Sequence, residues 1–328
     1  MRDQTKVFHL DPGESERSSG LLSNEYVIRE EALVPGIRTY YDTFDWRLFR
    51  KKLTVEKVRF RDNTQVHVRR FDGQLVAETP LALEPGFAWD LPEGTLRAKL
   101  APILQMRRLL PLAEMSFRGS RLNVLNADEK TVARVIMGQR KAWQPWENTP
   151  ENVLPASLKV VPIRGYEKEY EHLLQFVESE LPVEEVAESE LATVLESVGR
   201  TPCDYSSKLN VQLEPGMPVG EATRTVFRTL LETLLVNEKG TRLDLDSEFL
   251  HDFRVAIRRT RAGLAQFKGV ISPEIRDRFK SDFSWIGGAT GPSRDLDVYL
   301  LKMPKYRNSV PQSIRQHLDP LTDFLVAE

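Results

Sequence analysis

Leu250 to Val270 reads LHDFRVAIRRTRAGLAQFKGV, a histidine, four arginines and a lysine threaded through an apolar helical pattern. At about 100° per residue, His251, Arg254, Arg258, Arg261 and Lys268 fall within roughly a third of a turn. Leu250, Phe253, Ile257, Leu264 and Phe267 occupy the adjoining sector and would face a core. One helix therefore presents a cationic stripe with a hydrophobic stripe beside it to hold it in place. Only Asp252 opposes the five cations, so the segment carries +4 with His251 neutral. Such a stripe needs a polyanionic partner, from within the protein or from outside it.

Working outward, the 328 residues are long enough for two domains of ordinary size. A hydrophobic content of 41% and a charged content of 29% are those of a soluble globular protein. The net charge of −2 argues against a protein that coats nucleic acid without specificity. Residues 221–328 carry 17 Lys and Arg against 15 Asp and Glu, and the remainder 29 against 33. Any electropositive surface is then made by local arrangement. Cys203, the single cysteine, excludes an intramolecular disulfide and fits a reducing compartment. It sits in TPCDYSS without a histidine nearby and reads as a buried or loop thiol, not a nucleophile. No signal-peptide pattern and no bilayer-spanning run is present, and a cytoplasmic location is expected.

Up to about residue 170 strand signals dominate. IRTYYDT, LTVEKVRFR, TQVHVRRF, QLVAETPL, RLNVLNA and TVARVIMGQRKAW are β-branched or aromatic runs between turn residues, with Asp72-Gly73 a hairpin signal. LRAKLAPILQMRRLLP reads as a helix among them, and YEKEYEHLLQFVESEL as a helix after them. From about 182 the strand signal ends: 183–199 reads as a short helix, LNVQLEPGMPVG as a linker, and 219–239, 248–270, 273–289, 293–303 and 309–328 as helices. Asp246 or Ser247 can cap the helix that carries the stripe. The expectation is an α+β chain of two domains: a β-rich unit over 1–210, an antiparallel sheet or flattened barrel with helices, and an all-α bundle over 219–328. The last helix keeps its apolar face (Ile314, Leu318, Leu321, Leu325) up to Glu328, which suggests a fragment or a short second domain.

Arginine forks donate paired hydrogen bonds to phosphate oxygens, and several on one helix face can follow a phosphate chain. Arg294 in GPSRDLDVYLLK, and Lys302 two turns along, supply a second basic source flanked by Asp295 and Asp297. Those aspartates could equally neutralise Arg254 or Arg258, so periodicity alone leaves anion binding and internal ion pairing open. His251 has no second histidine or cysteine at metal-ligand spacing, and no metal is expected.

EFLHDFRVAIRRTRAGLAQFK followed by FSWIGGATGPSRDLDVYLL closely resembles the CHAD family, over roughly residues 219–328 and with both motifs in order. The resemblance implies a helical domain that binds inorganic polyphosphate through a basic surface and has no known catalytic role. It also implies a second, similar helical half beyond the first. His251, Arg254, Arg258, Arg261 and Arg294 match the family's basic positions. With Arg259, Lys268 and Lys302 they make the expected polyphosphate site.

TYYDTFDWRLFRKKLTVEKVRFR, MRRLLPLAEMSFRGSRLNVLNADEKTVARVIM and LKVVPIRGYEKEYEHLL resemble the CYTH family of triphosphate tunnel metalloenzymes, over about residues 1–200. That resemblance implies a barrel in which inward basic residues grip a triphosphate and carboxylates hold a divalent cation. Lys57, Arg59, Arg118, Arg134 and Lys159 are the candidates for an auxiliary anion site of this kind, although for any one of them a solvent-facing strand position is the favoured reading. The family's opening Glu-x-Glu-x-Lys strand is replaced here by TKVFHL, so the expectation is a degenerate, non-catalytic domain with no catalytic residues. Mg²⁺ enters only if activity is retained.

Three readings follow: a non-catalytic polyphosphate-binding protein, associated with polyphosphate granules; a Mg²⁺-dependent triphosphatase or phosphotransferase in the β-rich unit; and binding to a nucleic-acid backbone. The last is disfavoured because no aromatic platform alternates with the stripe. Oligomeric state has no signature in the sequence.

Overall fold

Alternation of apolar and polar residues shapes the first half of the chain into ten strands. A computed structural model describes residues 5–61, 63–81, 83–146, 150–186, 189–267 and 269–327. The chain divides into two compact units, Met1–Tyr205 and Ser206–Glu328.

The first unit holds β1 (Lys6–Leu10), α1 (Ser15–Glu25), β2 (Val27–Ala32), β3 (Gly36–Asp42), β4 (Leu53–Phe60), β5 (Asn63–Arg70), β6 (Leu75–Pro80), α2 (Thr95–Leu104), β7 (Leu110–Leu125), β8 (Thr131–Trp143), β9 (Asn152–Pro162), α3 (Glu167–Glu180), β10 (Val183–Glu185) and α4 (Glu190–Ser197). The strands form one antiparallel sheet in the order β10-β1-β9-β8-β7-β3-β4-β5-β6, with β2 pairing the far end of the long strand β7. Side chains from β10 at one edge through to β5 near the other line a single cavity, so the sheet is curled. Among the described residues no pairing joins β10 to β6, so the curl is not a closed barrel.

Pleating sends each strand's residues alternately to the two faces of this curl. On the convex face, Phe8, Leu10, Val135, Met137, Leu158 and Val160 pack against Leu22 of α1 and Leu173 and Val177 of α3. Farther along the same face, Tyr41, Val55, Val66 and Val68 pack against Leu96, Leu100 and Leu104 of α2. The concave face is covered at one end by α4, whose Leu191, Val194 and Leu195 meet Tyr40, Met115, Ala142 and Leu154. Burial of these clusters stabilises the unit by about 25 cal/mol per Å² of apolar surface removed from water.

The Asp72-Gly73 turn forms as the sequence suggests: Gly73 takes φ +84°, a conformation that costs glycine nothing, and the Asp72 carboxylate accepts from the Gln74 N–H at 3.0 Å. Three stretches differ from expectation. α1 and β2 carry only weak signals in GESERSSG and YVIREEA, too weak to predict either element. The helix expected over LRAKLAPILQMRRLLP ends at Leu104, because the Arg47 guanidinium caps the Leu104 carbonyl at 2.9 Å and Gln105 turns to φ +52°. Residues 183–199 are not one helix: β10 extends the sheet edge by pairing β1, and α4 starts only at Glu190.

The second unit holds α5 (Val219–Arg242), α6 (Ser247–Gln266), α7 (Pro273–Ala289), α8 (Gly291–Ser309) and α9 (Asp319–Ala327). Asp246 caps α6, its carboxylate accepting from the N–H groups of Glu248 at 3.0 Å and Phe249 at 3.3 Å. Leu230 and Leu234 of α5 pack on Ala256 and Ile257 of α6, with Phe283 and Ile286 of α7 at the margin. The helix expected from 309 begins at Asp319, where Pro320 fits a first helical turn that needs no N–H; a 3₁₀ segment, Gln312–Leu318, precedes it. No described helix is long and apolar enough to cross a membrane.

Candidate functional site

The 3.6-residue period of α6 places Phe249, Ala256, Ile257 and Leu264 inward and turns the neighbouring face to α7 and α8. There His251, Arg254, Val255, Arg258 and Arg261 of α6, Gly287 of α7 and Arg294 of α8 line a cavity of about 280 Å³. Five of the candidate site residues, four arginines and His251, thus lie together. Arg259 points elsewhere and donates to the Ser207 carbonyl at 3.1 Å. Lys302 is exposed on α8 and does not line the cavity. Lys268 lies outside the described residues.

The five are not equivalent. Arg254 donates from Nη1 to the Gly287 carbonyl and to Thr290 Oγ1, both at 2.7 Å, holding the corner between α7 and α8. Arg294 donates to the Ser247 carbonyl at 2.9 Å and to Asp297 at 3.5 Å, and lies 3.8 Å from Glu248. It also donates to His251 Nδ1 at 3.1 Å. A guanidinium can only donate, so His251 Nδ1 is an acceptor here and the ring proton belongs on Nε2. Burial raises the Asp297 carboxyl despite Arg294 beside it. Asp297 thus orients and partly quenches Arg294, whereas Asp295 is exposed. Arg258 and Arg261 are exposed at the cavity rim, and among the described residues neither makes an ion pair or hydrogen bond. The arrangement is two positioned cations at the back and two unengaged ones at the mouth, suited to bidentate donation to an oxyanion.

The curled sheet holds a second polar cavity of about 420 Å³ on its concave face. Arg38, Arg69, Arg140 and Lys159 line it, with Glu56, His9 and Glu190 among them. Glu190, in the first turn of α4, reaches this cluster: it pairs with Arg38, lies 3.4 Å from Arg140 and 3.9 Å from Lys159, and accepts from the Tyr40 hydroxyl at 3.2 Å. Burial alone would raise its carboxyl, but Arg38, Lys159 and Arg140 outweigh that and hold it well below the usual carboxylate range. Glu56 lies 3.5 Å from both Arg38 and Arg69. Burial, then Arg140, lowers His9; burial, then Arg69, lowers the neighbouring His67.

Strand register corrects the expected lining of this cavity. Lys159 is on the concave face and lines it; Arg134 shares that face but bonds Asn123 at 3.3 Å and does not reach the cavity. Lys57, Arg59 and Arg118 project to the convex face, one pleat step away, and Lys57 is paired there with Glu84. Arg38, Arg69, Arg140, Glu56 and Glu190 line the cavity without being candidates on sequence grounds. The alternation in TVARVIMGQRKAW puts Arg140 on the face of Ile136, a usable signal; nothing local marks Glu190.

In the TYYDT run, Asp42 is a cap: its carboxylate accepts from the N–H groups of Thr43 at 2.6 Å, Leu48 at 2.9 Å and Phe49 at 2.8 Å. Burial pushes it up to about 6 against those three donors. A divalent cation fits poorly on the concave face, where the buried Glu56 and the partly buried Glu190 are already engaged by guanidinium groups. Val7 and His9 occupy the cavity-facing positions of β1. Among the described residues no group of three His, Cys, Asp or Glu could hold a metal ion.

Residues 225–328 match the family model described as the CHAD domain, about a third of the chain. No curated protein matches. Three solved structures are similar. A Bacillus halodurans protein described as a candidate adenylate cyclase is 9% identical, over 54% of this chain and 88% of its own, with a TM-score of 0.35. A Hippeastrum protein described as an adenylyl cyclase candidate with a dominant triphosphatase activity is 12% identical, over 62% and 99%, with a TM-score of 0.40. A Pyrococcus horikoshii OT3 protein is 10% identical, over 58% and 98%, with a TM-score of 0.31. At such scores the likeness adds nothing to the sheet topology described above.

Proposed function

We propose that the protein binds inorganic polyphosphate without catalysis, at the α6–α7–α8 cavity within residues 219–328. The observation that carries this reading is the pair Arg258 and Arg261: exposed at a cavity already lined by His251, Arg254 and Arg294, and without an internal anion. The CHAD-domain match over 225–328 supports it. Arg258 and Arg261 would contact phosphoryl oxygens directly. Arg254 would set the position of the α7–α8 corner, and Arg294 with His251 would form the back wall. The same chemistry would draw the protein to polyphosphate granules.

Charge reversal at the rim tests this. R258E/R261E should lose retention on immobilised long-chain polyphosphate at physiological salt while its helical circular dichroism stays unchanged. Undiminished retention would remove the cavity from the mechanism.

A second reading, a Mg²⁺-dependent triphosphatase or phosphotransferase in residues 1–210, draws on the arginine and lysine side chains of the concave cavity, Arg38, Arg69, Arg140 and Lys159 among them. Against it stand Glu190 and Glu56, which already pair with Arg38, Arg69 and Arg140, and a first strand that offers Val7 and His9 where carboxylates are needed. Phosphate release from tripolyphosphate that is stopped by a chelator would establish it in place of the first.

A further inference from the structure

Between the two apolar clusters on the convex face runs a strip that none of the described helices of this unit covers. One cluster lies under α1 and α3, the other under α2. The strip crosses β8, β7, β3 and β4, and its residues differ in kind from those flanking it. Lys141 pairs in register with Ser116, Ser116 with Ile37, and Ile37 with Arg59. One step along lie Arg118 and Gln139, and Arg61 follows β4. Together they line a groove of about 640 Å³, larger than either cavity described above.

Arg59, Arg61, Arg118 and Lys141 are all exposed there. The lining holds one carboxylate, Glu151, which pairs with Lys141 at 2.8 Å. Among the described residues no ion pair or hydrogen bond engages the side chains of Arg59, Arg61 or Arg118. Glu84, near Arg59, is already taken by Lys57 and Tyr41. This contrasts with the concave cavity, where each buried cation has its carboxylate. Three strand spacings separate Lys141 from Arg59, about 14 Å at the usual interstrand distance. The cations therefore form a row, not a point.

We propose that this convex groove is a second anion site, for an extended oligophosphate chain. Arginine forks spaced across neighbouring strands suit successive phosphoryl oxygens, and Gly36 and Ser116 in the floor offer little side-chain bulk. A single-stranded nucleic acid fits less well. Trp143 is the one aromatic on this face of the lining, and its indole N–H is given to Glu114 at 2.9 Å. Phe117 projects to the other face, against Gly138. Successive bases would lack a stacking platform.

The inference is independent of the helical cavity, and the test keeps the two apart. In the full-length chain, R258A/R261A removes the rim of the helical cavity. Titration of that variant with tripolyphosphate in a calorimeter at low salt should show one remaining site. Adding R59A/R118A should weaken it at least tenfold without a change in melting temperature, and R59K/R118K, which keeps charge but not the fork, should fall between. Equal affinity with and without R59A/R118A, or no binding to the R258A/R261A variant, overturns the convex site. Binding of oligouridine that R59A/R118A abolishes, with none of tripolyphosphate, overturns the ligand class.

Discussion

At the scale of single residues, Glu190 is the most consequential side chain of the β-rich unit. It brings one carboxylate to three cations, Arg38, Arg140 and Lys159, and about a quarter of its side chain remains exposed. Removing one partner of a buried pair costs about 3–5 kcal/mol, and partial exposure puts this one near the lower figure. Glu190→Gln should therefore lower stability by about 3 kcal/mol at pH 7. The sign of the pH dependence follows from its depressed folded-state value. The contribution is present above the unfolded-chain value of about 4.3 and is lost as pH falls below it towards the folded value. The gap between urea midpoints of wild type and E190Q should thus narrow as pH falls from 5 to 3; a gap that ignores pH would contradict the ion-pair account. Arg254 and Arg258 teach a complementary lesson. They share one face of α6, yet Arg254 serves the α7–α8 corner and Arg258 faces solvent.

At the scale of elements, the α5–α6 contact holds the cationic face in place. Gly240 of α5 leaves room for the buried Phe249: a Cβ there would sit 2.2 Å from the ring. Glycine in a helix interior costs about 1 kcal/mol relative to alanine, so propensity alone predicts that Gly240→Ala stabilises. Overpacking costs about 1–3 kcal/mol and should reverse the sign. A lowered urea midpoint for G240A, with weakened polyphosphate retention, is the expected result; a raised midpoint would show that α6 can shift aside freely. In the sheet, a two-fold ambiguity governs every strand: alternation separates two faces but does not say which faces the cavity. Lys159 and Arg59 both sit on well-patterned strands and end on opposite faces.

For the whole molecule, a chain of net charge −2 concentrates cations where backbone geometry gathers them, at the α6 rim and on the convex strip. Polyphosphate binding at these places, as proposed, would be electrostatic and should weaken with salt. By the scaling for single strands, each phosphate neutralised adds about −0.7 to the slope of log K against log salt. R258A/R261A should therefore flatten the slope for long-chain polyphosphate by about 1.4 units. An unchanged slope would mean that these arginines neutralise no phosphate.

Much was legible from residue order because local periods are set by the backbone. The 3.6-residue period grouped His251, Arg254, Arg258 and Arg261 on one face of a helix, and the β-branched runs located most strands of the sheet. Asp246 and Asp72-Gly73 announced a cap and a turn, since their partners lie within three residues. Tertiary structure alone decided which cations are committed. The partners of Arg254, Gly287 and Thr290, lie 33 and 36 residues away, and the Glu190 carboxylate is 152 residues from Arg38. Neither pairing has a local signature. Only the curl of the sheet and the docking of α4 bring opposite charges within hydrogen-bonding reach, and only the gap between helix-covered clusters leaves Arg59 and Arg118 facing water.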